Sequence, residues 1–356
     1  MNNILLKAFF LAFILLTSCS SSTTSQSADE EQAETQEPNN ADGDTGEDTQ
    51  GSQGTVVGAY GQLSVSGKNM VDQNGTPVQL RGMSLFWSQW MGQFYTKEAV
   101  RWLKDDWNIT VIRASMGVED PGGYLENPEI EKAKIFEIID AAIEEGIYVI
   151  VDWHSHHAED HLEESKIFFA EVAQKYGDQP HIIYETYNEP LDDVSWANTL
   201  KPYHEEVINE IRKYDTDNIV IAGTRSWSQR VDEVIGNEID DANIMYTLHY
   251  YAASHKQELR DIAQTAIDAG LPIFVTEYGV TEYSGDGFID VPEVNTWWDF
   301  LDANNISWCN WSIADKDENS AALKPGASGS GNWPESQLTP SGQMVRAELK
   351  AKNPTF

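Results

Sequence analysis

The sequence predicts an α/β protein built as a (β/α)8 barrel with a short N-terminal β-hairpin, and three observations carry that prediction. Eight near-continuous apolar runs of strand length recur along the chain, as parallel strands covered on both faces require. Stretches with helical spacing lie between them: in 129–145, Ile135, Ile138, Ile139 and Ala142 fall three and four residues apart, on one face. No glycine-rich phosphate turn follows the first run, so the competing doubly wound sheet lacks its marker. Eight units in roughly 280 residues suit a closed TIM barrel, whose functional groups stand at the carboxyl ends of the strands.

The elements follow in order. Residues 1–19 carry one lysine, Lys7, before an apolar run from Ala8 to Leu16 that is too short for an ordinary membrane span. This is the form of a secretory signal. Its end, Leu16-Thr17-Ser18-Cys19, resembles the bacterial lipobox, which implies lipidation of Cys19 and a membrane anchor; the alternative is an ordinary cleaved signal with a chance cysteine. Residues 20–55 hold nine acids, no base and almost nothing apolar, the composition of a disordered, self-repelling tether. Ser20 and the acidic tether fit an exported protein held at the outer membrane, facing the cell surface or the periplasm, and they fit a Gram-positive surface too.

From residue 56 to 356 a single catalytic domain is expected. A hairpin comes first, from Leu63 to Val65 with its turn at Ser66-Gly67-Lys68. Strands are expected at 78–85, 109–116, 147–154, 181–187, 218–224, 243–250, 272–278 and 306–312. Helices are expected at 97–106, 129–145, 163–176, 196–214, 256–269, 291–303 and 340–350.

Composition narrows the function. With 58 acidic against 23 basic residues the net charge is −35, which excludes the basic footprint of a nucleic-acid binder and a polybasic grip on lipid. Aromatics make up 11 %, including 12 Trp, more than a core needs and well suited to flat apolar ligand faces. The two cysteines, Cys19 and Cys309, form no disulfide framework.

The predicted strand ends present Arg81, His154, Asn188-Glu189, His249 with Tyr251, Glu277 and Trp311. Glu189 and Glu277 directly follow apolar strands, where a carboxylate is costly to desolvate unless it is used or hydrogen-bonded. Two carboxyls facing each other across a barrel mouth are what glycoside cleavage needs, one to attack the anomeric carbon and one to protonate the departing oxygen. The two jobs need opposite tuning. Arg81 and Tyr251 are expected to keep Glu277 ionised, and a sparsely partnered Glu189 to stay protonated.

At this point the residues resemble a family. Arg81-Gly82, Asp152-Trp153-His154, Tyr187-Asn188-Glu189-Pro190, His249-Tyr250-Tyr251, Thr276-Glu277-Tyr278-Gly279 and Asn310-Trp311-Ser312 are similar, in order, to glycoside hydrolase family 5 and its bacterial endo-β-1,4-glucanase branch. The resemblance implies Glu189 as acid/base and Glu277 as nucleophile, with retention of anomeric configuration. It implies Asn188 on the sugar 2-hydroxyl and Trp311 as the floor of the cleaved sugar's subsite, lined by His154, His249 and Tyr251. Lys316 would contact substrate, and Trp90 and Trp227 would be sugar platforms. A β-glucan chain as partner, a monomer and no cofactor are expected. The chain departs from the family pattern at Ser84-Leu85-Phe86-Trp87, where many relatives have a histidine, and at Met116-Gly117, where they often have a tyrosine; Trp87 is a candidate platform there.

Other readings carry less. His154, His156, His157 and His161 with Asp152 and Asp160 have the composition of a metal cluster, but zinc barrels carry their His-x-His on strand one and no further ligand set is obvious. The run from Asp315 to Asn319 begins like a calcium loop and lacks the glycine and the closing acid. No Gly-x-Ser-x-Gly marks a serine hydrolase. Three alternatives stay open: a β-mannanase, a mixed-linkage glucanase, and a non-catalytic surface lipoprotein that binds glycans.

Overall fold

The computed structural model describes residues 54–356. The expected signal, its Cys19 and nearly all of the expected tether lie outside the described residues. Thr55, placed at the tether's end by composition, instead begins the fold: its side chain accepts from the Gly58 amide and caps a short helix, Val56–Tyr60.

An antiparallel hairpin follows, β1 (Ser64–Ser66) and β2 (Asn69–Val71), with Gly67 in the left-handed conformation at its turn. Eight parallel strands then close into a barrel: β3 (Arg81–Leu85), β4 (Val111–Gly117), β5 (Tyr148–His154), β6 (Ile182–Glu185), β7 (Ile219–Ala222), β8 (Ile244–Tyr251), β9 (Ile273–Gly279) and β10 (Trp308–Ile313). Each pairs with its neighbours in sequence, and β10 pairs with β3 to complete the ring. All eight expected strands are present; each starts one to three residues later than expected, β6 and β7 end two residues early, and β4, β8, β9 and β10 run one residue further. Nearly every strand residue is buried, because the helical layer covers the outside and side chains fill the inside.

The helices explain themselves locally. Pro128–Glu145 starts with a proline at its first position, buries Ile135, Ile138, Ile139 and Ala142, and stops at Gly146 in the left-handed conformation. Pro340–Lys352 starts the same way, capped by Thr339. The expected helix 196–214 opens with a π-turn over Trp196–Leu200 and ends as an α-helix at Ile211. Between β7 and β8 the layer is thin: Ser226, Trp227 and Ser228 are all left-handed, and a single 3-10 turn follows at Val231–Val234.

One irregularity decides what faces the barrel interior. Thr247 pairs with Phe274 but His249 with Glu277, and on the other side Trp308 pairs with Val275 but Asn310 with Tyr278. Both neighbours therefore skip one residue of β9, which is a β-bulge. In an even strand successive side chains alternate faces. Here Thr276 and Glu277 both point inward, to partners inside the barrel.

Candidate active site

At the carboxyl ends of the strands two adjoining cavities, about 480 and 180 Å³, make a cleft. Trp227 and Gln229 border the first, and Trp87, His154, Trp311 and Lys316 border the second. Five residues border both: His156, Glu189, Tyr251, Glu277 and Tyr283. Glu189 and Glu277 thus stand where the halves join. An oxygen of each, together with a ring nitrogen of His249, lies within 4.8 Å of the others. Oxygens this close fit the 5–5.5 Å carboxyl separation of a retaining pair better than the 6.5–9.5 Å that an inverting pair leaves for water.

Glu277 is nearly fully buried and both of its oxygens are engaged: Tyr251 Oη donates to Oε1 at 2.8 Å and Arg113 Nη1 to Oε2 at 3.0 Å. Accepting at both oxygens is how a carboxylate is held. Burial and the facing Glu189 raise this carboxyl above its ordinary value, against the pull of His249, Arg113 and the Tyr251 phenol. Arg113 also forks onto Glu185, with Nε to Oε2 at 2.7 Å and Nη2 to Oε1 at 3.2 Å, and reaches Asp152 at 2.9 Å and Asn188 Oδ1 at 2.7 Å. One buried guanidinium therefore faces three carboxyl groups.

This corrects the expectation for Arg81. Arg81 is the first residue of β3 and pairs in register with Trp308, the first of β10, so it lies at the opposite end of the barrel. There it binds Asp302 at 3.0 Å and Gln79. Arg113, in the middle of β4, fills the role beside Glu277.

Glu189 is not sparsely partnered. His249 Nδ1 lies 2.9 Å from its Oε1 and His156 Nε2 lies 3.2 Å from its Oε2. Burial works to raise this carboxyl, but the bonds from His156 and His249 pull it down to about 2. His249 moves the other way: burial opposes its charge, yet Glu185 and Glu189 raise it to about 9. These bonds favour the proton on His249 over Glu189, against the expectation of a sparsely partnered, protonated Glu189.

The remaining expected residues divide between the cavities. Trp311 lies parallel to the His154 ring, 5.2 Å between centroids, and against Phe86 at 5.1 Å. Trp87 stacks on Trp90 at 5.0 Å and meets His154 edge-on at 4.3 Å. Trp90 is half exposed and borders neither cavity directly. Lys316 pairs with Glu318 and sits over the Phe86 ring at 4.6 Å. Asn188 turns its Oδ1 to Arg113 and leaves Nδ2 buried without a partner, a donor held in reserve.

Trp227 is presented by the left-handed turn 226–228, whose three non-glycine residues have φ of 62, 54 and 56°. Such a conformation costs about 1–2 kcal/mol per residue. It is held by the Trp227 amide on Pro190 O at 2.8 Å and by Ser228 Oγ on Asn188 O at 2.7 Å. Strain of this kind collects at ligand sites.

The histidine-rich run does not gather into one ligand set, since His154 faces Asp152 and His156 faces Glu189. Sequence reasoning missed Arg113, His156 as a partner of Glu189, Glu185 and Tyr283. Arg113 had a usable signal, a cation in the middle of an apolar strand. Tyr283, at 74 % the most exposed large hydrophobic side chain among the described residues, sits in a glycine-containing loop with no pattern to flag it.

Comparison with known proteins places this geometry. The Cellulase (glycosyl hydrolase family 5) profile matches residues 71–317. Endoglucanase A of Evansella cellulosilytica is 47 % identical over 309 residues, 86 % of this chain and 63 % of the relative, so the chain spans less than two thirds of that relative's length. A solved structure from Cytophaga hutchinsonii is 56 % identical with a TM-score of 0.83, over 84 % of this chain and 97 % of that one. The catalytic domain of the Thermobifida fusca endoglucanase is 38 % identical with a TM-score of 0.80, over 83 % and 100 %. Sequence profile, barrel and close relatives agree over the same span, and the chain belongs to glycosyl hydrolase family 5.

Proposed function

We propose that this protein is a retaining endo-β-1,4-glucanase acting on cellulose or related β-glucans. The observation that carries the proposal is the placement of one oxygen from each of two carboxyl groups within 4.8 Å of each other, at the junction of two aromatic-lined cavities. In the first step a Glu277 oxygen attacks the anomeric carbon while Glu189 gives the leaving oxygen a proton. In the second, Glu189 takes a proton from water, and that water displaces Glu277. Arg113 and Tyr251 aim and charge the nucleophile, and Asn188 Nδ2 is placed to donate to a sugar hydroxyl next to the reacting carbon. Trp311 and Trp87 on one side and Trp227 on the other offer flat faces to pyranose rings. A chain that runs on past both sides of the cut is the substrate such a cleft favours, which supports internal cleavage. A variant of the Thermobifida fusca domain has been solved with cellotetraose, which supports a β-1,4-glucan over β-mannan or mixed-linkage glucan.

A panel of carboxymethylcellulose, β-mannan and mixed-linkage glucan tests the reading, with the first-formed anomer followed by NMR. Reducing ends from carboxymethylcellulose with the β-anomer first, unaffected by a chelator, are expected; α-anomer first or no release overturns it. Glu277→Ala should abolish turnover and keep oligosaccharide binding, which separates an enzyme from a glycan-binding lipoprotein.

For location, we propose that Cys19 is lipidated and anchors a monomeric enzyme to the bacterial membrane, favouring the outer one, through the acidic segment that follows. The apolar run ending in Leu16-Thr17-Ser18-Cys19 supports this. Labelled palmitate should enter the wild-type chain and not Cys19→Ala, which should be released from membranes.

A further inference from the structure

This inference rests on the reading of Glu189 as the acid/base. That role needs a proton which, at rest, the surroundings of Glu189 pull away from it. Counting donors shows where the proton is kept. Glu185 is fully buried and takes two N–H bonds from the Arg113 fork, so it is an anion that only accepts. Thr276 Oγ1 lies 2.6 Å from Glu185 Oε1, and its single hydrogen goes there. The other two neighbours of that oxygen, the Thr247 hydroxyl and His249 Nε2 at 2.9 Å, must then donate to its two lone pairs. His249 Nε2 therefore carries a hydrogen whatever the charge of the ring. Its other nitrogen, Nδ1, faces Glu189 Oε1 at 2.9 Å. That contact has room for one proton, on the nitrogen or on the oxygen.

We propose that Glu185 and Thr276 are positioning residues that hold His249 with Nε2 protonated, and that the single proton shared by His249 Nδ1 and Glu189 Oε1 is the one handed to the leaving sugar oxygen. The books close in both steps. As the glycosidic bond breaks, its electron pair stays on the leaving oxygen, which takes the proton from Glu189. His249 gives its Nδ1 hydrogen to Glu189 and is left neutral, still protonated at Nε2. When water attacks, it loses a proton to Glu189, its oxygen bonds to the anomeric carbon, Glu277 departs as a carboxylate, and the proton returns to His249.

The charged groups around His249 suit a store of this kind. Glu189 faces it from the loop after β6, Glu185 from β6 at 3.8 Å, Glu277 from β9 and His154 from β5, with Arg113 of β4 behind Glu185. The described strand β7, Ile219–Ala222, brings no titratable group. The bulge in β9 is what lets Thr276 and Glu277 serve the site together.

The test compares Thr276→Val, which keeps shape and deletes the hydroxyl, with Thr276→Ser, which keeps it, in the full chain. For a cello-oligosaccharide, Thr276→Val should lose about a hundredfold in kcat/KM, and its alkaline limb should move down by about one pH unit. For 2,4-dinitrophenyl β-cellobioside, whose leaving group needs no proton, kcat/KM should stay near wild type. Thr276→Ser should restore both. Equal losses on the two substrates, or an unmoved alkaline limb, overturn the relay while leaving the glucanase reading intact; a wild-type enzyme inactive on both substrates sinks the glucanase reading itself. Should Thr276→Val fail to fold, 15N NMR of the wild-type imidazole decides: Nε2 of His249 must stay protonated from pH 5 to 9, and a neutral ring protonated only at Nδ1 refutes the proposal.

Discussion

Gly279 has no side chain at the point where the ring of Tyr251 crosses it. A Cβ on Gly279 would lie 2.2 Å from Cδ1 of Tyr251 and 2.4 Å from Cε1. The ring lies there because its hydroxyl must reach Glu277 Oε1. Gly279→Ala therefore has to displace a ring or a strand. We expect it to lower kcat by about ten- to a hundredfold, the worth of one hydrogen bond to a charged group. Tyr251→Phe should fall in the same range, and kinetics of the two variants side by side check the link; a fully active Gly279→Ala refutes it.

Arg113 and Arg81 make a paired test of which end of the barrel does chemistry. Arg113→Met strands Asp152, Glu185 and Glu277 without their cation, which should cost about 3–5 kcal/mol of stability. Thermal melting should show it, and turnover should be lost. Arg81→Gln, at the far end beside Asp302, should lower stability by about 1 kcal/mol or less and leave kcat/KM unchanged. Loss of turnover in Arg81→Gln at unchanged stability would contradict this placement.

The stability of the fold should depend on pH through the His249–Glu189 pair. His249 is raised to about 9 from 6.5, so its contribution is complete below pH 6.5 and drains away as pH rises through 9. Glu189 is lowered to about 2 from 4.5, so its contribution is complete above pH 4.5 and is lost as pH falls toward 2. The pair stabilises fully between pH 4.5 and 6.5. Tm measured against pH should fall on the alkaline side, and His249→Asn should flatten that fall; an identical slope in the variant rules the pair out as its cause.

Tyr283 borders both halves of the cleft while remaining largely exposed, and its amide is pinned to Ser254 Oγ at 3.0 Å. It has little to do with stability, so Tyr283→Ala should leave Tm unchanged. It should raise KM for long soluble glucans about tenfold, the scale of one lost aromatic contact, with kcat little affected. A changed Tm with an unchanged KM would assign the residue to folding instead.

Much of this was legible from the chain. The eight strands stand out because burial on both faces leaves no alternation to confuse, and Glu189 and Glu277 stand out because each directly follows an apolar run. Arg81 and Arg113 were not separable in the same way. Both lie in strands, and which end of a strand an arginine occupies depends on where pairing starts; β3 begins at Arg81 rather than at Val78. The partners of Glu189 were hidden for another reason, since His156 and His249 come from 33 residues before it and 60 after it, and only the pairing of β5 through β8 brings them together. The left-handed turn at Ser226–Ser228 contains no glycine, the residue that normally announces one.

The extra residue in β9 has a consequence for how this scaffold can change. Deleting Val275 would even out the ladder with β8 and β10, and ordinary pleating would then turn either Thr276 or Glu277 toward the helices. The regular version would be the better sheet and a dead catalyst. Selection for hydrolysis and selection for a tidy barrel pull against each other at that one position, so mutational repair of the irregularity is closed to any descendant that keeps cutting sugar chains.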